Sequence, residues 1–217
     1  MVKVKIYKVD QITYESVVRE RLATQPYTSE GGFGFDVIDD DNDKLVVQFI
    51  EKQIRNQEIE TPDGDISMIE SVSYIKVKFC IRFNTKYALY VIDPPRSMKY
   101  PFEMIRTLFD LKSNLQPLEF DLKALLQVYK DKYDLVVKSM SLSNIQYDAH
   151  ILAKSKIAST KNLHPFFLAN YSKTPAIIDI VHMIINGIDT EVSRTGRFRV
   201  HEANLQTFIS MLEHSFQ

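Results

Sequence analysis

The sequence predicts an α+β protein, an N-terminal antiparallel β meander followed by a mixed helix and strand region. Apolar and polar residues alternate up to about Ile92, the period of a half-buried strand. "DPPRSMKYP" (93–101) then interrupts the pattern with two adjacent prolines, which lack a backbone donor and restrict the residue before them. Beyond Pro101 the apolar residues recur at helical spacing. The expected division is a β-rich region over 1–93 and a mixed region over 94–217, as two units or packed into one compact domain.

"VKVKIYKV" opens as a strand, with Val2, Val4 and Ile6 on one face and Lys3, Lys5 and Tyr7 on the other. "TYESVVRERLA" places Tyr14, Val17, Val18 and Leu22 at helical spacing, with Thr13 as the expected N-cap. In "GFGFDVI", Phe33, Phe35 and Val37 point one way, and "KLVVQFIEKQI" resumes the alternation after "DDDND". Asp and Asn side chains bond their own backbone and tolerate left-handed torsions, so this is a hairpin. "TPDGD" (61–65) supplies a second tight reversal. In "YIKVKFCIRF", Ile75, Val77, Phe79, Ile81 and Phe83 form the apolar face opposite Tyr74, Lys76, Lys78, Cys80 and Arg82. "NT" then turns the chain into "KYALYVI".

After the prolines, Pro101 suits a first helical position, and Phe102, Ile105, Leu108 and Phe109 make one stripe. A second helix starts near Asp121 and buries Leu122, Leu125, Leu126 and Tyr129. "IQYDAHILAKSKI" (145–157) alternates as a single strand, with "LVVKSMSLS" as its hairpin partner. "TPAIIDIVHMIING" has helix ends: Thr174 as N-cap, Pro175 in the first turn and Gly187 as terminator. Ile177, Ile180, Val181 and Ile184 would then share a helical face, with Asp179 beside His182 in a local hydrogen bond. "GRFRV" is a short strand, and Leu205, Phe208, Ile209, Leu212 and Phe216 stripe a final helix.

With 45% hydrophobic residues and a net charge of -1, the 217-residue chain has a globular composition with enough mass for a sizeable core. Cys80 is the only cysteine, which rules out a disulfide framework and fits a reducing compartment. The N-terminus lacks the apolar run of a signal peptide, and no stretch approaches the roughly 18 apolar residues of a membrane span. The expected location is cytoplasmic, with no membrane contact. The near-zero total hides an asymmetry: residues 1–72 carry 8 Lys/Arg against 15 Asp/Glu, and residues 73–217 carry 19 against 13. A chain polarised in this way can steer a partner or dock head to tail on a copy of itself.

Three of the six glycines lie in "SEGGFGFDVIDDDND" (29–43), followed by five acids. Asp39, Asp41 and Asp43 have the 1-3-5 spacing of an EF-hand, but Lys44 stands where its bend needs Gly and Ile50 where it needs a bidentate Glu. No Gly-Lys-Ser/Thr follows the glycines, and they open a strand rather than a helix, so a phosphate loop fails too. The remaining reading is a bulge or close backbone approach at the glycines and a solvated turn at the acids. The histidines His150, His164, His182, His201 and His214 are dispersed, so no metal site is expected. Cys80 sits between Lys78 and Arg82, cations that could lower a thiol pKa, but no histidine accompanies it. No Gly-x-Ser-x-Gly elbow occurs, and no catalytic residue or cofactor is expected.

One constellation remains. Lys76, Lys78 and Arg82 line one strand face, Lys154 and Lys156 with His150 another, and Arg194, Arg197 and Arg199 surround Phe198. Cations on a sheet beside aromatics can neutralise phosphates and stack bases. They also keep solvent-facing strands from aggregating. The expected function is therefore a non-catalytic interaction or assembly subunit that binds a protein partner or its own copies. The alternatives are a nucleic-acid-binding subunit using those eight basic residues, and an enzyme with dispersed catalytic residues.

Overall fold

The structure, a computed structural model, describes residues 1–9, 14–83, 89–109, 115–146, 148, 150 and 151–215. Among them the chain forms eleven strands and five α-helices, and eight of the strand pairings are antiparallel. The α+β class therefore holds, with strand dominant. Two compact units emerge: a continuous one, residues 9–115, and a discontinuous one, residues 1–8 with 116–217.

After β1 (Val2–Val9), the continuous unit begins with α1 (Glu15–Thr24). Its Val18 and Leu22 are buried as the spacing predicts, whereas Tyr14 is exposed at the N-cap. Thr13, the expected cap, lies outside the described residues. β2 (Phe33–Asp41) and β3 (Lys44–Glu60) form the predicted hairpin, closed at Asp41↔Lys44. Of Phe33, Phe35 and Val37 only Phe35 is buried, its ring 5.5 Å from Phe49 and 6.2 Å from Phe79. Gly34 provides the close backbone approach, since a Cβ there would stand 2.6 Å from the Tyr27 backbone.

β3 runs through the 61–65 turn into β4 (Ile66–Arg82), in register from Lys44↔Arg82 to Glu60↔Ile66. β4 buries Val77, Phe79 and Ile81 as predicted. β5 (Leu89–Ile92) pairs with β4 over Lys78–Ile81, and the "NT" turn before it falls outside the described residues. α2 (Lys99–Thr107) starts two residues earlier than expected, so Pro101 is its third residue. Helix N–H groups there have no intrahelical acceptor, and the proline costs no hydrogen bond.

In the discontinuous unit, β6 (Leu115–Pro117) pairs with β1. α3 (Leu122–Lys132) matches its prediction: Asp121 accepts from the Lys123 and Ala124 N–H groups, and Leu122, Leu125, Leu126 and Tyr129 are buried. β7 (Leu135–Gln146) and β8 (Leu152–Ala158) then form a hairpin. The span 145–157 is thus two strands, not one. Asp148 accepts from the His150 and Ile151 N–H groups at 2.7 and 2.8 Å and reverses the chain, a turn that the surrounding alternation hides.

α4 (His164–Tyr171) is an element that the spacing does not indicate, because Phe166, Phe167 and Leu168 are consecutive rather than striped. The predicted helix over 174–187 is instead β9 (Ile177–Ile185), joined by Asn186-Gly187 to β10 (Ile188–Ser193). Both turn residues have positive φ, 46° and 80°, the torsions of a two-residue hairpin turn. β11 (Arg197–Val200) follows, then a 3-10 turn (Glu202–Asn204) and α5 (Leu205–His214). α5 buries Leu205, Phe208, Ile209 and Leu212 as its stripe predicts; Phe216 lies outside the described residues.

The strand order in this unit is β1-β11-β10-β9-β7-β8. One face is core: Val4, Phe198, Val192, Val181 and Met140 are buried, and Phe208 of α5 sits 5.0 Å from Phe198. Directly paired residues share a face, so the register also fixes what the opposite face carries.

Candidate interaction surfaces

β3 and β4 are each 17 residues long, but their neighbours are short. β2 reaches β3 only to Glu51, and β5 reaches β4 only at Lys78. Apart from the Lys52 N–H, which donates to the Gly32 carbonyl oxygen at 2.6 Å, the backbones of Lys52–Glu60 and Ile66–Tyr74 therefore pair with each other alone among the described residues, as a two-stranded ribbon about 30 Å long at ~3.4 Å per residue. Its register separates two unlike faces. One carries Ile54, Ile66, Met68, Val72 and Tyr74 with Glu58, Glu60 and Glu70. The other carries Ile59 and Ile69 among Gln53, Arg55, Gln57, Ser67, Ser71 and Ser73. The five large apolar side chains of the first face are 47–70% exposed. Two-stranded ribbons are only marginally stable in water, and contiguous exposed apolar surface marks a contact site.

The predicted basic residues fall into two groups. Lys76, Lys78 and Arg82 share one face of β4 in the continuous unit, the two lysines exposed. Lys154 and Lys156 on β8 and Arg197 and Arg199 on β11 belong to the discontinuous unit. There the register carries one row across the sheet: Lys5, Arg197, Ser193, Ile180, Ser141 and Lys156. The next row is Lys3, Arg199, Glu191, His182 and Ser139. All four predicted cations of this unit's strands thus lie on its non-core face, joined by Lys3 and Lys5, which the sequence reading leaves out. Lys154, two residues before Lys156 on the strand, shares that face.

Part of this charge is balanced. Arg199 Nε lies 3.6 Å from Glu191, and His182 Nε2 is 2.7 Å from Asp189. His182 thus bonds Asp189 across the hairpin and not the predicted Asp179, because the segment is a strand. Arg194, in the β10–β11 turn, stands 3.5 Å from the Asp179 carboxylate. Arg197, Lys154 and Lys156 have no ion-pair partner among the described residues. Lys5 lies directly opposite Arg197, with its ammonium 4.9 Å over the Tyr7 ring. Burial, and then the Arg197 guanidinium, hold the Lys5 pKa below its ordinary value.

The acidic turn is structural. Asp40 bonds Arg19 of α1, Asp39 pairs with Lys44 at 3.3 Å, and Asp41 accepts from the Asn42 N–H. Cys80 is on the Lys78 side of β4 as predicted, yet it is buried between Val46 and Tyr90 of the adjacent strands, closed to a substrate. Among the described residues no cluster of His, Cys, Asp and Glu could hold a metal. A shallow recess of ≈ 340 Å³ in the discontinuous unit, lined by Asp121, Lys123, Ile178 and Arg194, brings together no nucleophile and base. No helix of the described residues is long and apolar enough to cross a membrane.

The chain matches no protein-family model, and no curated protein matches it in sequence.

Proposed function

We propose that the protein is a non-catalytic assembly subunit that binds another protein through the β3–β4 ribbon. The observation that supports this reading is the apolar face of the ribbon, exposed along about 30 Å with no neighbouring strand. Beyond Lys52 its outer edges pair with no other strand among the described residues, a template for strand addition. A β-rich 1–93 region and a mixed 94–217 region, in a cytoplasmic protein, remain part of this reading.

Trimming the ribbon tests it. Lys52 and Tyr74 face each other directly, so an Asn-Gly turn joining them removes residues 53–73 and keeps the remaining register. The trimmed chain is expected to melt within about 3 °C of the full chain, since little buried surface is lost. Its partner should disappear from material isolated by affinity from the native host and analysed by mass spectrometry. Recovery of the same partner at the same yield would refute the reading.

A second reading rests on the coplanar cations of the discontinuous unit: Lys154, Lys156, Arg197 and Arg199 on one face supports nucleic-acid binding. Each phosphate contact releases condensed counterion, so the affinity for duplex DNA should fall with salt at a log–log slope of about -0.9 per contact. Fluorescence anisotropy with short single- and double-stranded oligonucleotides at two salt concentrations measures it. No binding at low salt by folded protein removes this reading.

A further inference from the structure

We propose that the ribbon of one copy docks, by its apolar and acidic face, on the cationic non-core sheet face of the discontinuous unit of a second copy. This rests on the reading of the ribbon as a docking arm, and it names the partner as the same chain.

Charge complementarity selects that occupant. The ribbon face carries Glu58, Glu60 and Glu70 against the single cation Lys52. The sheet face carries Lys3, Lys5, Lys154, Lys156, Arg197 and Arg199 against Asp189 and Glu191. In it Lys5 lies opposite Arg197, and like charges directly opposed on a sheet destabilise each other. Arriving carboxylates relieve that repulsion. A second ribbon offers these three carboxylates the one cation Lys52 along its length, whereas the sheet face offers six. The carboxylates cannot lie along a phosphate backbone.

Dimensions and apolar content agree. From β11 to β8 there are four interstrand steps, about 19 Å at ~4.8 Å each, so a 30 Å ribbon laid across the strands spans Arg197 and Lys156 together. The same sheet face exposes Ile180 and Leu152, which meet the apolar residues of the ribbon. Ribbon and receptor are different patches, so two copies can exchange ribbons reciprocally as a two-fold dimer, or the contact can propagate to a closed ring or an open chain.

A charge swap tests the proposal on the full chain. One variant reverses the ribbon (Glu58→Lys with Glu70→Lys), and the other reverses the receptor (Lys156→Glu with Arg197→Glu). All four positions are exposed, so both variants should fold, which thermal melts verify. Light scattering coupled to size exclusion is expected to show the wild-type mass rising above 25.2 kDa with concentration and falling back with salt. Each variant alone should associate about tenfold or more weakly. An equimolar mixture of the two variants should assemble again, because each ribbon then faces a receptor of opposite charge. A wild-type mass that stays monomeric, a mixture that fails to assemble, or assembly that vanishes on nuclease treatment overturns self-docking. The broader docking-arm reading stands or falls separately. It survives a monomeric wild type where a different chain stays bound to the full protein and is lost from the trimmed one. It falls where trimming changes nothing.

Discussion

Gly196→Ala is expected to lower the Tm by about 8–16 °C, as a loss of ~4 kcal/mol would in a chain of this size. Gly196 lies in the β10–β11 turn with φ of 72°, a left-handed torsion that costs a residue with a side chain roughly 1–2 kcal/mol. An added Cβ would also meet the Leu118 carbonyl oxygen at 2.3 Å. That oxygen cannot step aside freely. The Leu118 N–H donates to Ile6, the Ile6 N–H to Gly196 and the Phe120 N–H to Arg194, at 2.8–3.0 Å. Relief of the overlap must therefore break part of this lattice, at a further cost of about 1–3 kcal/mol. Gly64→Ala is the comparison, because it has a similar φ of 86° with no atom within 4 Å of the added Cβ. It should show the torsional cost alone, and differential scanning calorimetry of both variants separates the two contributions. Equal Tm values would show that the 118–120 segment yields without cost.

Phe208→Ala is expected to destabilise the discontinuous unit by about 3–5 kcal/mol. Phe208 is fully buried on α5, with its ring 5.0 Å from that of Phe198 on β11. Truncation removes the aromatic contact and leaves a cavity between the helix and the sheet, in a core that also holds the fully buried Val200 and Leu212. Phe208→Leu keeps most of the volume and should cost under about 1.5 kcal/mol. Phe166→Ala, at a half-exposed position on α4, should stay within ~0.5 kcal/mol. Urea unfolding followed by far-UV circular dichroism measures all three. A loss at Phe208 no larger than at Phe166 would mean that α5 does not cover the sheet as described.

Several elements were legible because their signals are local and mutually consistent. α3 has its cap at Asp121 and its stripe at Leu122, Leu125, Leu126 and Tyr129, and nothing in the segment points elsewhere. The hairpin turns at 41–44 and 61–65 and the strand pattern of 75–83 are of the same kind. β9 shows where local signals are degenerate. Thr174, Pro175 and Gly187 are good helix ends, but Asn186-Gly187 is equally a hairpin turn, and six of the nine residues of β9 are Ile or Val. Hydrogen bonds to β7 on one side and β10 on the other settle the ambiguity, and both partners lie outside the segment, so its own residues do not announce them.

The candidate surfaces divide in the same way. By itself the sequence determined which residues alternate, that basic residues recur at alternate positions of several strands, and that charge is split between the two ends of the chain. Tertiary structure alone decided where the neighbours of β3 and β4 stop. The alternation of 52–74 reads the same whether a strand is flanked or bare, and burial is a property of cross-strand neighbours. It also decided that β1 pairs with β11, which sets Lys5 opposite Arg197 across nearly the whole length of the chain. A residue's own strand fixes only its face. Which charges share that face depends on register between segments far apart in sequence, and register is settled by the packing of the buried side.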